Sequence, residues 1–288
     1  MRERTLKKEK SPDQASKKRA RRAEKTSRPT QTRFVIFGSP RTGSSHLTAL
    51  LNSHKDILLN GAIFHHNKVW VHWKNDGLTP EIANELLRLR KNDPDAFLER
   101  VLQTNSGHAA VGFKMFSHHD RGMLHKIASD TSIKKIVLHR KNVLANYSSR
   151  LIARETGKYS VKVGENRPKR PLVPFDPDHF IKFHNTYIRF YRDIAEGLAE
   201  TRQTFHLICY DEINDMRLLA NLINFLGLDP ADAALNSRAD KQNPSDMRSR
   251  FSNPEDLERF CRERGLEHWL QEGEASLSAL SKAPPPAG

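Results

Sequence analysis

Phe34-Val35-Ile36-Phe37-Gly38-Ser39-Pro40-Arg41-Thr42-Gly43-Ser44-Ser45 decides the fold of this chain. Four bulky apolar residues in a row, ended by a glycine, suit a short strand buried on both faces. From Ser44 the pattern changes, with Leu47, Leu50 and Leu51 recurring at helical spacing. The turn between strand and helix carries two glycines and one cation, Arg41. The backbone N–H groups of such a turn, together with those of the first helical turn, converge on an anion.

Gly38 and Gly43 have the spacing of a nucleotide-triphosphatase loop, G-x-x-x-x-G-K-[ST], but Ser44 stands where that loop needs its lysine. The cation sits inside the turn instead. This is a loop for a phosphate-like group without the lysine that ordinary ATP hydrolysis places on the β- and γ-phosphates. The plainer alternative is a strand–turn–helix with no ligand.

Outward from this loop the pattern alternates. Ala110 to Phe116, Lys135 to His139 and Thr204 to Tyr210 read as further strands. Helical patterns occupy 79–104 (broken at Asn92-Asp93-Pro94), 120–129 and 143–155, with another closed by Gly227 and Pro230. Phe180, Phe183, Tyr187, Tyr191, Ile194 and Leu198 recur every three or four residues, the core stripe of one long helix. Residues 157–177 hold several prolines and no periodicity, as a functional loop does. Strands alternating with helices predict an α/β fold: a P-loop-like three-layer α/β/α sandwich around a central, mostly parallel sheet.

Charge is unevenly spread over the 288 residues. Residues 1–33 hold 13 basic and 4 acidic side chains, so this stretch supplies +9 of the net +14. Residues 1–32 are expected to be a disordered basic tail that touches an anionic surface, 33–275 the α/β domain, and the Pro-rich 276–288 a second disordered tail. No apolar run approaches the ~20 residues of a membrane-spanning helix, and no apolar segment follows the first residues as in a secretory signal. Two cysteines, Cys209 and Cys261, exclude a disulfide scaffold and a cysteine-based zinc site, and the expected compartment is the cytoplasm. Fourteen histidines include the adjacent pairs His65-His66 and His118-His119. Adjacent side chains on a strand point to opposite faces, so neither pair suits one metal ion, and no metal is expected.

Ser39-Pro40-Arg41-Thr42-Gly43-Ser44-Ser45 resembles the 5′-phosphosulfate loop of the sulfotransferases that use 3′-phosphoadenosine 5′-phosphosulfate (PAPS). In that family an arginine at a strand end and a serine eight residues on hold the 3′-phosphate, and Arg140 and Ser148 have this spacing. Leu51-Asn52-Ser53-His54, Val111-Gly112-Phe113-Lys114, Cys209-Tyr210-Asp211-Glu212 and Asn224-Phe225-Leu226-Gly227 resemble the bacterial branch that includes the nodulation-factor sulfotransferases. The resemblance covers roughly 33–260. It implies PAPS as co-substrate, no metal, and cofactor contacts from Ser39, Arg41, Thr42, Gly43, Ser44, Ser45, Arg140, Ser148 and Lys241. It also implies an acceptor hydroxyl or amine on a small molecule, a glycan or a lipid. Trp70, Trp73 and Tyr159 are candidates to stack on that acceptor or to be ordinary packing.

One departure matters. The bacterial branch often places a glutamate base where this chain has Ala62. Histidine titrates near neutrality and is the natural substitute. His118 is preferred narrowly over His65, with Arg41 as the other catalytic group. The alternatives are a PAPS-fold protein that binds without turnover, a kinase-like nucleotide phosphotransferase, and a nucleic-acid or membrane-surface binder led by the basic tail.

Overall fold

The computed structural model describes residues 31–72, 78–103, 107–158, 170–232 and 243–273. Lys241, Trp73, Tyr159, the basic tail and the Pro-rich end lie outside the described residues.

Five parallel strands form the sheet: β1 (Thr32–Gly38), β2 (Ile57–Ala62), β3 (Ala110–Phe116), β4 (Ile133–His139) and β5 (Phe205–Cys209), in the order β2-β3-β1-β4-β5. Between them run α1 (Ser44–Leu51), α2 (Pro80–Asn92), α3 (Pro94–Leu102), α4 (Arg121–Ser129), α5 (Val143–Thr156) and α6 (Pro177–Glu200). After β5 come α7 (Met216–Phe225) and α8 (Pro254–Glu263). The fold is the expected α/β sandwich with a parallel central sheet.

The alternation of β1 sorts the two cores. Phe34 and Ile36 pack with Leu47, Leu50, Leu51, Leu219 and Leu222 from α1 and α7. Val35 and Phe37 face the opposite way, among Phe97, Val101, Ile127, Phe190 and Ile194 from α3, α4 and α6. Both faces are therefore covered, which is why β1 reads as an unbroken apolar run. A third apolar cluster joins α5, the start of α6 and α8 through Tyr147, Phe175, Phe180, Phe251 and Phe260.

Local signals set the boundaries. Asp93 caps α3 by accepting from the Ala96 N–H at 2.9 Å, and Pro94 opens that helix, so the 79–104 segment breaks where the sequence placed the break. Asn142 caps α5 by accepting from the Ala145 N–H at 2.8 Å. Gly227 has φ +84° and ends α7 as a left-handed cap.

The sequence reading has no strand at 57–62, and the structure corrects this: Ile57–Ala62 is an edge strand, fully buried along its length. Its Asn60-Gly61 end hides the pattern. A Cβ at Gly61 would lie 2.6 Å from Trp70 Cβ, so glycine is required there by the chain that crosses it.

From β1 the chain goes outward to β2, whereas from β4 it goes the other way to β5. The adjacent strands β1 and β4 thus flank the topological switch point, where the carboxyl ends of an open α/β sheet leave a crevice. Ser39 to Gly43 follows β1, and Arg140 follows β4.

Candidate active site

The loop after β1 is held from three sides. Thr42 turns its hydroxyl inward to donate to the Ser39 carbonyl at 2.7 Å. The Tyr191 hydroxyl accepts from the Ser39 N–H at 3.1 Å and donates to the Leu138 carbonyl at 2.7 Å, fastening the loop to the end of β4. Asn146 Nδ2 donates to the Pro40 carbonyl at 3.0 Å, while its Oδ1 is buried with no hydrogen-bond partner. Gly43 precedes α1 with φ +83° and no side-chain cap, so the first-turn N–H groups of α1 point away from the helix unsatisfied by it. A Cβ at Gly43 would lie 2.5 Å from Ile213 Cδ1 and 2.9 Å from Tyr210 Cδ2. Ser45 is exposed at this helix start, and Ser44 is buried.

Arg41 adopts φ +71°, the left-handed region that a side chain enters at a cost. Its Nε donates to Ser149 Oγ at 3.0 Å. The loop therefore keeps a cation at its tip in a conformation better suited to glycine, the kind of local strain that functional loops hold.

Arg140 and Ser148 are linked only through two groups that the sequence did not flag. Arg140 Nη1 donates to the Arg41 carbonyl at 3.1 Å, and its guanidinium lies 4.1 Å from the centre of the Tyr210 ring. Its Nε donates to Glu272 Oε1 at 2.6 Å. Glu272 Oε2 in turn accepts from Arg250 Nη2 at 2.9 Å, and Arg250 Nη1 donates to Ser148 Oγ at 3.1 Å. Arg140, Ser148, Arg250 and Glu272 are all buried. Tyr187 completes the setting: its hydroxyl accepts from the Arg140 N–H at 2.9 Å.

The histidines gather at the ends of β2 and β3. The two pairs are not spread over opposite faces of strands, as their adjacency suggested. Both lie in turns and pack together. Ring centroids are 4.5 Å apart for His65–His66, 4.7 Å for His118–His119, 6.3 Å for His65–His118 and 6.5 Å for His65–His119. Arg90 pins the first pair by donating to the carbonyls of Ile63 at 2.6 Å and His66 at 3.1 Å. Among the described residues no group of three or more His, Cys, Asp or Glu is arranged to hold a metal ion.

Desolvation disfavours the charged form of three of these rings, His65, His118 and the buried His119, although His118 stays partly open to solvent. Desolvation, then the charges of Arg150, His65 and His66, lowers His118 to about 4. Desolvation and the neighbouring histidines lower His119 to about 3, and burial also lowers His65. Hydrogen bonds fix the tautomers of two of them. His65 Nδ1 accepts from the Asn67 N–H at 3.3 Å, and His119 Nδ1 accepts from the Phe116 N–H at 3.1 Å. In each neutral ring the proton therefore sits on Nε2, leaving no free basic nitrogen. His118 is exposed and makes no such bond to the backbone.

Lys114 is paired in register with Ala62 across β2 and β3. Its side chain is buried, and its Nζ lies 5.9 Å from the centre of the Phe116 ring. Desolvation lowers it to about 8. Trp70 is half exposed beside Gly61, with Lys68 Nζ 5.4 Å from its ring centre.

Of the residues implied by the sequence, Ser39, Arg41, Thr42, Gly43, Ser44 and Ser45 share one loop, and Arg140 touches it. Ser148 joins Arg140 through Arg250 and Glu272. His65 and His118 form one cluster. Sequence reasoning missed Ser149, Arg250, Glu272 and the hydroxyls of Tyr187 and Tyr191. The tyrosines carried a signal, since residues four apart in a core stripe place two polar ends on one face.

No family model matches the chain. Nodulation protein H of Rhizobium tropici is 30% identical over 146 residues, which is 50% of this chain and 55% of that protein. The chain thus spans about half the length of the curated relative it matches. Among solved structures, a sulfotransferase from Alicyclobacillus acidocaldarius aligns with 85% of this chain and 98% of its own, at 16% identity and TM-score 0.46. Sulfotransferase STF9 from Mycobacterium avium aligns with 87% of this chain and 80% of its own, at 14% identity and TM-score 0.43.

Proposed function

We propose that the chain is a sulfotransferase that moves the sulfuryl group of PAPS to a hydroxyl or amine of a small-molecule, glycan or lipid acceptor. The observation that carries this reading is the loop Ser39 to Gly43 between β1 and α1, with a cation at Arg41 and Arg140 bonded to the Arg41 carbonyl at 3.1 Å. The similarity to nodulation protein H supports it. The donor set fits the nucleotide: a strand–loop–helix cradle for one phosphate, and beside it two buried guanidiniums that hold a carboxylate, one of them also bonded to the Ser148 hydroxyl.

PAPS supplies the activated sulfuryl group, whose transfer leaves negative charge on the oxygen that bridged sulfur to phosphorus. Arg41 is the side chain proposed to stabilise that charge, with the N–H groups of Thr42 to Ser45 and the Ser44 or Ser45 hydroxyl. Donors fixed before the reaction need little reorganisation and are worth more than donors in water. Arg140 and Ser148 are proposed to hold the 3′-phosphate and so select against ATP, with Lys241 as a further contact. His118 is proposed as the base because, of His118 and His65, it is the exposed ring whose nitrogens make no backbone hydrogen bond. His65 is left as a neighbour by its own tautomer. Lys114 would neutralise charge near the sulfuryl group. No metal is proposed to take part.

No helix among the described residues is long and apolar enough to cross a membrane. Both cysteines, Cys209 and Cys261, are buried and unpaired, which suits a reducing compartment, and the reaction is proposed to run in the cytoplasm. The basic tail is proposed to touch an anionic surface. Ala62, at the position where relatives often have a base, favours a second reading in which the chain binds the nucleotide without turnover.

The test is sulfur-labelled PAPS with a panel of sugar, lipid and phenolic hydroxyl acceptors, reading adenosine 3′,5′-bisphosphate release. Acceptor-dependent release that falls about 100-fold or more in Arg41→Ala supports the proposal. Magnesium-dependent transfer from ATP would overturn it.

A further inference from the structure

Arg140 and Arg250 are both buried, and between them stands one carboxylate. Arg140 donates to Glu272 Oε1 through Nε at 2.6 Å and pairs with the same oxygen through Nη2, while Arg250 Nη2 donates to Oε2 at 2.9 Å. Two cations against one anion leave this buried cluster with an excess positive charge. Burial without full neutralisation is costly, and it lowers Arg250 to about 10 despite the opposing pull of Glu272. A phosphate monoester carries about −1.5 to −2 near neutrality and three acceptor oxygens, matching two guanidiniums and a hydroxyl better than a carboxylate does.

Glu272 does not belong to the sheet or to the helices around it. It lies just beyond a short helical turn at Glu267–Leu270. Its own segment is fastened by Glu272 N–H to the Ser245 carbonyl at 3.0 Å, Met247 N–H to the Leu270 carbonyl at 2.9 Å, Asn142 Nδ2 to the Trp269 carbonyl at 2.8 Å, the buried Leu270 side chain, and an isolated antiparallel bridge between Asp246 and Gln271. Ser148 Oγ donates to the Ala145 carbonyl at 3.1 Å and accepts from Arg250, and turning its single proton away from Ala145 would let it donate to a bound anion.

We propose that Arg140, Ser148 and Arg250 form one phosphate-sized anion site, and that the Glu272 carboxylate occupies it in the ligand-free chain until the 3′-phosphate of the nucleotide displaces it. This rests on the nucleotide reading given above. It adds Arg250 to the binding residues and makes the 267–273 segment a latch that opens as the nucleotide enters. The carboxylate neutralises part of the cluster when no ligand is present, and exchanging one anion for another avoids ever exposing two bare buried guanidiniums to each other. Discrimination follows: a ligand with no 3′-phosphate has nothing to offer the site in exchange and leaves the latch closed.

The experiment is calorimetric titration of the full chain and of Glu272→Gln with adenosine 3′,5′-bisphosphate, AMP and inorganic phosphate alone. The variant is expected to bind the bisphosphate about tenfold or more tightly than the parent does, to bind AMP as the parent does, and to acquire affinity for inorganic phosphate. Unchanged or weaker bisphosphate binding by a variant whose circular dichroism matches the parent overturns the proposal. If neither chain prefers the bisphosphate to AMP but the variant gains phosphate binding, the anion exchange stands and the nucleotide reading falls. Should Glu272→Gln fail to fold, the unaltered chain decides by hydrogen exchange. On addition of the bisphosphate the amides of 267–273 are expected to exchange faster, and slower exchange there would contradict displacement.

Discussion

The rings of His65 and His118 meet edge to face with centroids 6.3 Å apart, although 53 positions of sequence separate them. The ends of β2 and β3, neighbours in the sheet, bring them together. Two rival candidates for one base thus become members of a single neutral cluster, and their hydrogen bonds separate them. His65 has its Nδ1 engaged by Asn67, whereas the exposed His118 has no such bond. Replacing His118 with Asn is expected to lower kcat by about 100-fold or more, and His65→Gln by much less. With His118 at about 4, the acid limb of kcat/KM in the free protein should fall near pH 4, not near 6.5. The pH profile of both variants checks this, and an acid limb at 6.5 contradicts the assignment.

The same cluster makes stability depend on pH. His118 and His119 are lowered to about 4 and about 3, so below 6.5 the unfolded chain binds protons that the folded chain does not. Stability from these groups is fully present above pH 6.5 and is lost as pH falls through 4 and 3. Urea midpoints measured at pH 7, 5.5 and 4.5 should decline in that order, and the decline should shrink in a His118→Asn and His119→Asn double variant.

Arg41 sits at φ +71°. Glycine enters that region freely, so Arg41→Gly relieves about 1–2 kcal/mol of backbone cost while giving up the bond to Ser149. Unfolding free energy should stay within about 1 kcal/mol of the parent, with sulfuryl transfer reduced by about 100-fold. A large drop in stability would mean that the arginine is structural.

Tyr191 spans the loop and β4 with one hydroxyl. Tyr191→Phe leaves the Ser39 N–H and the Leu138 carbonyl without this partner, which costs about 1–3 kcal/mol. Denaturation should show that loss, and nucleotide affinity should weaken with it because the loop is no longer held.

Removing Lys114 acts in the opposite direction to Tyr191→Phe. Its side chain is buried, and desolvation lowers it to about 8. Between pH 8 and its unfolded value near 10.5 the unfolded chain holds the extra proton, so the penalty that Lys114 imposes near neutrality fades as pH rises. Lys114→Met should raise the thermal midpoint at pH 7 and lower kcat. A lowered midpoint would show that the charge is compensated.

Much of this was legible in the sequence because it is local. The apolar run Phe34 to Phe37, the two glycines of the loop, the Asn92-Asp93-Pro94 break and the Gly227 cap each act within a few residues. Arg140 and Ser148 could be paired because they match the resembled family's spacing of a strand-end arginine and a serine in the next helix. Arg250 and Glu272 were not legible. They reach Arg140 from 110 and 132 positions away, through a segment with no strand or long helix to announce it. The strand Ile57–Ala62 was missed because a polar residue and a glycine interrupt its apolar run, and only the crossing of Trp70 over Gly61 explains that glycine. The histidine pairs were misjudged because the rule of opposite faces holds within a strand, and both pairs lie just past one.

The most direct test is calorimetric titration of the unaltered chain with adenosine 3′,5′-bisphosphate beside AMP and ATP. The account predicts that the bisphosphate binds about tenfold or more tightly than AMP, a difference of ~1.4 kcal/mol, and that Arg140→Ala abolishes the preference. Equal affinity for bisphosphate and AMP, or tighter binding of ATP with magnesium, would contradict it.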